Sequence, residues 1–196
     1  MKKEESALAF KELSAVTWKD FEMIMGPKGG CGGCWCMSWR VPRAGKYSET
    51  VQGEPNRLAM KDLVFQGKAF GILAYVGRKP VGWCSFGPRE HYPRLGRTKA
   101  YRREDTIPAW SVPCFFVRKD WRGKGLSMLL LQQAVEAAKR KGSKVVEGCP
   151  VTKTKDGKKL PAAFSWTGPE IIFKRCGFKD IQRLAPTRPL YRKELE

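Results

Sequence analysis

Two short stretches of this chain hold residues whose types and spacing could do chemistry. Arg122-Gly123-Lys124-Gly125-Leu126-Ser127 sets two glycines two apart, just ahead of an amphipathic run. Glycine turns the backbone sharply at little steric cost. Successive N–H groups, together with those left unpaired in a first helical turn, then converge on one point, and an anion such as a phosphate suits that point. The second stretch is Cys31-x-x-Cys34-x-Cys36, three thiols in six residues inside the glycine- and tryptophan-rich run from Gly29 to Arg40. Three thiolates invite zinc, but a fourth ligand is missing. The chain has one histidine, His91, and no second Cys-x-x-Cys pair, so no metal is expected and the thiols are read as reduced.

The elements that must position the cradle follow from pattern. Ser111 to Val117 (S-V-P-C-F-F-V) reads as a buried strand. The segment from Leu126 to Arg140 reads as a helix, with Leu126, Leu129, Leu130, Ala134, Val135 and Ala138 on one stripe. Ser143 to Glu147 reads as the next, parallel strand. A Walker loop is excluded, because no Gly-x4-Gly-Lys-Ser/Thr string exists. A dinucleotide loop fits better, with Glu147 at the end of the next strand, yet Met128 stands at its third glycine and Arg118 to Arg122 separate strand from turn.

Elsewhere, residues 7 to 16 can form a first strand, and Thr17 can cap a helix running to Met25. A second helix spans Glu54 to Gln66, and Phe70 to Val76 with Pro80 to Phe86 form a hairpin that carries Trp83. Gly87 to Pro108 is a long polar segment. Pro113 cannot donate to a ladder, so its strand must bulge or lie at an edge there. Thr167 or Ser165 could cap a short helix through Arg175, followed by strands at 178–184 and 190–195. No internal repeat is visible.

At 196 residues the chain is one domain by length, and such a domain buries roughly 70% of its unfolded surface. Seven cysteines, an odd number, and no hydrophobic leader after Met1-Lys2-Lys3-Glu4-Glu5 point to a reduced, cytoplasmic protein. No apolar run reaches the ~20 residues of a membrane span. The net charge is +19, from 38 basic and 19 acidic side chains. Either this is the solvated surface of a basic protein, or an anionic partner such as RNA neutralises part of it.

Phe115 through Ser127, with Asp120-Trp121-Arg122-Gly123-Lys124-Gly125 at its centre, resembles the acetyl-CoA pyrophosphate loop of the GNAT superfamily of acyltransferases, written Q/R-x-x-G-x-G/A. Asp120 stands where the pattern prefers Gln or Arg. Phe173-Lys174-Arg175-Cys176-Gly177-Phe178 resembles the family's final helix with its Gly-Phe pair. The resemblance covers about residues 60 to 194. It implies a single α/β (α+β) domain over 1–196, with 1–60 matching loosely. The implied architecture is a mixed central sheet of six to seven strands, a splayed parallel pair and flanking helices.

The resemblance also implies a reaction: transfer of acetyl from acetyl-CoA to an amine by direct attack, the enzyme supplying orientation and polarisation. Backbone groups of Phe116, Val117 and Arg118 would meet the pantetheine arm. Arg122, Gly123, Lys124, Gly125, Leu126 and Ser127 would hold the pyrophosphate. The family's usual tyrosine acid falls at Phe173, so proton transfer must come from elsewhere: Glu147, Glu90 or His91, with Tyr92 and Ser165 as further acids. Trp35, Trp39 and Trp83 are candidate walls for a ring-bearing or cationic acceptor, or else plain core. The rival reading is a non-catalytic CoA-binding module that holds RNA or a protein on its basic surface. A monomer or homodimer, without membrane attachment, is expected.

Overall fold

The computed structural model describes residues 7–41, 52–152 and 165–196. The basic run Lys153 to Lys159 and Phe164 lie outside the described residues. The apolar hairpin forms as the pattern demands, with β2 at Phe70–Val76 and β3 at Lys79–Pro88. β1, Leu8–Glu12, pairs antiparallel with β2, and β4, Trp110–Val117, pairs antiparallel with β3. β5, Val145–Gly148, runs parallel to β4, and β6, Lys179–Gln182, and β7, Leu190–Glu194, complete a seven-stranded sheet in the order β1-β2-β3-β4-β5-β7-β6.

The sheet is covered on both faces because side chains alternate along β2. Ile72 and Ala74 meet α4, the helix Leu126–Arg140, through Leu130, Leu131, Ala134 and Ala138. Leu73 and Tyr75 point the other way, into a second core built from α1 (Trp18–Met25), α2 (Glu54–Phe65) and Trp35, Cys36 and Met37. The α4 stripe differs from its sequence reading in one respect: Leu131 is buried and Leu129 only half-buried.

Three local expectations are corrected. Thr17 stands at the N-cap of α1, but its hydroxyl donates back to the Glu12 carbonyl at 3.0 Å, so it fastens the helix to β1 instead of capping it. Neither Thr167 nor Ser165 caps the final helix, α5, Glu170–Arg175. Gly168, at φ 83°, and Pro169 intervene, and the Thr167 hydroxyl accepts from Arg188. The polar segment after β3 is not a long loop: it winds into short turns of helix around α3, Pro93–Arg97, because Tyr92, Leu95 and Tyr101 are buried anchors.

What positions the site is the brevity of one pairing. β4 and β5 are joined only at Trp110–Val146 and Ser111–Glu147. Two residues on, Pro113 offers no N–H, and the ring of Phe173 lies so close to Gly148 that a Cβ there would stand 2.4 Å from it. The strands therefore part beyond Ser111, as the splayed pair anticipated in the sequence.

Candidate active site

The cradle has the geometry that its glycines suggested. Gly123 and Gly125 sit at φ 76° and 77°, and a Cβ on either would meet nothing within 4 Å, so the turn faces open space. Gly125 is the N-cap of α4. Among the described residues, the N–H groups of Gly123 to Ser127 have no partner, and they lie at the positive end of a 15-residue helix. Among the described residues, no protein group occupies the space in front of these donors.

The flanking side chains behave differently from one another. Arg122 donates its Nε to the Val117 carbonyl at 2.9 Å, which leaves the rest of its guanidinium at the cleft. Lys124 folds over the ring of Trp121, 4.4 Å from its centroid, and Arg118 pairs with Asp120 at 3.2 Å. Asp120, the departure from the loop pattern, thus serves as an anchor for Arg118. Leu126 is buried against the core and contributes its backbone alone.

A cleft of about 450 Å³ runs from this cradle along the freed edge of β4. Along that edge, donor direction alternates. The Arg118 N–H goes to Val81 on β3, while the Phe115 N–H points away from β3 and meets the Trp166 carbonyl at 2.6 Å. Val117 shares the outward direction of Phe115, whereas Phe116 shares the inward direction of Arg118. Of the three residues expected to meet the pantetheine, Val117 is the one whose backbone faces the cleft; the Phe116 side chain lines it.

The cleft opens into a smaller chamber of about 190 Å³, sharing Gly30, Cys31, Phe115, Phe116 and Trp166 with it. Trp39, Met25, Cys34, Cys36 and Cys114 form its other walls. Trp39 therefore borders the chamber. Trp35 and Trp83 do not: Trp35 lies 6.5 Å from Trp18 in a stacked pair, and Trp83 is fully buried against Phe21, its indole donating to Cys36. Cys114 was not legible as a site residue, since nothing in the strand run says which face the loop will cover. Its thiol lies 3.9 Å from that of Cys36. Among the described residues, no group of three or more His, Cys, Asp or Glu is arranged to hold a metal ion.

The thiols differ in electrostatics. The Cys114 S–H and the Trp83 N–H, against the opposing effect of burial, hold Cys36 below its ordinary value. Burial, then the neighbouring Cys36, pushes Cys34 up to about 12.

The candidate proton-transfer groups are not brought together at the cleft. Glu147 is fully buried, and four donors fill its two oxygens: Arg89 and Ser111 on one, Arg103 and Arg192 on the other. A carboxylate has about four lone-pair sites, so none is left for a substrate proton. Glu90 and His91 lie in a turn past the end of β3, and His91 lines a separate cavity. Tyr92 is buried between Ser85 and Arg40. Phe173 sits wholly in the core among Phe115, Phe178 and Tyr191, so a tyrosine hydroxyl at that position would be buried against Gly148 rather than offered to the cleft.

The seven-stranded sheet with its parted parallel pair agrees with what comparison finds. The family described as "Acetyltransferase (GNAT) family" matches residues 37–156, more than half of the chain, and the chain belongs to it. It is an acyltransferase, and its acyl donor is acetyl-CoA. No curated protein matches it by sequence. Its fold is similar to that of an N-acetyltransferase from Staphylococcus aureus Mu50, at 14% identity and a TM-score of 0.56 over 97% of this chain and 100% of that one. It is also similar to the PaiA N-acetyltransferase from Thermoplasma acidophilum, solved in complex with coenzyme A, at 10% identity and a TM-score of 0.54 over 96% and 99%. A GNAT acetyltransferase from Streptococcus pneumoniae aligns at 11% identity and a TM-score of 0.54 over 96% and 100%.

Proposed function

We propose that the chain, as one domain over residues 1–196, transfers acetyl from acetyl-CoA to the amine of a small acceptor with an apolar body, which occupies the chamber. The observation that carries this reading is the shared wall. The cleft that begins at the phosphate cradle ends in a chamber lined by Trp39, Met25, Phe116 and thiols, so a thioester lying along β4 would present its carbonyl there.

In this reading the N–H groups of Gly123 to Ser127, with Arg122, hold the pyrophosphate, and Val117 pairs with the pantetheine arm. The amine attacks the thioester carbon directly, and CoA leaves as the thiol. Among the described residues, neither lining carries a carboxylate or a histidine. The amine therefore loses its proton to water, and the same lack of negative charge, with a net charge of +19, disfavours polycationic acceptors. All seven cysteines are free thiols, which suits a reducing, cytoplasmic setting.

The test is calorimetry with acetyl-CoA and with CoA, followed by thiol release over a panel that sets arylalkyl and alkyl amines against spermidine and aminoglycosides. Turnover on the apolar amines is expected. Tight donor binding with no turnover on any amine would overturn the catalytic reading, and preference for spermidine would overturn the acceptor class.

A further inference from the structure

The segment from Cys36 to Arg40 divides its side chains between two cavities. Ser38 and Trp39 line the chamber, whereas Met37 and Arg40 line a second, open cavity of about 470 Å³, shared with Asp62 and Leu63 of α2, with Lys68 and with His91. We infer that this second cavity binds a compact oxyanion, a carboxylate or a phosphate, through the guanidinium of Arg40.

Two arginines are buried to the same degree, each 9% exposed: Arg192 and Arg40. Arg192 rests on two carboxylates, Glu147 and Asp105. Arg40 has none among the described residues. It donates to the Tyr92 hydroxyl at 3.2 Å and lies 4.6 Å over that ring, and its Nε has no acceptor. A buried cation without a counter-charge is costly, and among the described residues this one lacks an anion. Arg40 helps to hold the Cys36 thiol below its ordinary value, but a thiol is not a carboxylate partner. His91 Nδ1 is a second buried polar atom without a partner, on a ring that lines the same cavity. Lys68 adds a cation, and Asp62 is the single carboxylate among the lining residues. A planar guanidinium matches a two-oxygen face, which selects carboxylate or phosphate over a spherical halide.

His91 is the chain's only histidine, so its imidazole gives one unambiguous NMR signal. Burial first, then Arg40, holds its pKa below the ordinary value, while Glu90 and the Lys68 carbonyl oppose this and the Lys68 ammonium adds to it. An anion on Arg40 would cancel part of that field and raise the His91 pKa.

The experiment titrates the full chain with inorganic phosphate, with malonate and with chloride at matched ionic strength. The expected result is a saturable upward shift of the His91 pKa with phosphate or malonate and none with chloride; whichever of the two saturates at lower concentration identifies the source. Arg40→Met should weaken binding about 10- to 100-fold, the range for hydrogen bonds to charged groups. Lys68 and Asp62 are exposed, so their variants should fold regardless: Lys68→Met should weaken binding and Asp62→Asn tighten it, each about two- to five-fold. Shifts that rise linearly, match those of chloride or ignore all three substitutions would overturn the site.

Discussion

The indole N–H of Trp83 donates to the thiol of Cys36 at 2.9 Å, which ties the glycine-cysteine loop to the middle of β3. The residues that bring the thiol there, Trp35 and Cys36, hold φ of 45° and 58°, a region unfavourable to any side chain. Cys36→Ala would leave a buried indole N–H without an acceptor and should cost about 1–3 kcal/mol in thermal or urea unfolding. Cys31 is exposed, and Cys31→Ala should leave the midpoint unmoved. Equal effects of the two changes would contradict this division of the loop.

Gly125→Asp should remove acetyl-CoA binding by calorimetry. A carboxylate there faces the space in which the N–H groups converge, and a left-handed φ adds a cost to stability of about 1–2 kcal/mol. Retained affinity with a normal melting curve would show that the donor's phosphates lie elsewhere.

Glu147→Gln separates structure from catalysis. Three guanidinium groups would lose their shared carboxylate, and the loss in stability should be about 3–5 kcal/mol, as for other broken buried pairs. The acetyl-CoA dissociation constant should hold. A fall in kcat out of proportion to the folded fraction would return Glu147 to the chemistry.

Trp39→Ala should raise the acceptor KM without weakening acetyl-CoA binding. Trp35→Ala should instead act on folding, at about 3–5 kcal/mol, because its ring is core. The reverse pattern would mean that the chamber is not where the acceptor sits.

The buried thiols set a pH dependence. Burial first, then the Glu147 charge, pushes Cys149 up to about 12, against an ordinary 9.0. A thiol raised on folding contributes stability that is complete below the unfolded value and is lost as pH climbs through the folded one. Melting temperature should therefore fall as pH rises from about 9 towards 12, and Cys149→Ala should flatten part of that slope, as read by scanning fluorimetry across the range.

The cradle was legible because its signal is local: two glycines, a strand before and a helix after. The hairpin followed from periodicity for the same reason. The arginine shell of Glu147 was not legible, because Arg89, Arg103 and Arg192 come from separate parts of the chain and only the folded sheet brings them onto that carboxylate. Cys114 and Trp166 escaped notice likewise, since each gains its place from a crossing between distant segments. Trp35 and Trp39, four residues apart in one loop, are both buried, and Trp39 also borders the chamber, an outcome of a turn whose left-handed residues no composition rule announces.

The Trp166 carbonyl accepts from the Phe115 N–H, and the same residue borders both the cleft and the chamber. The two compartments share a partition, pinned at one peptide of β4. Any shift of that partition that widens the donor's passage must reshape the room beyond it, so the volumes open to donor and acceptor cannot be set independently.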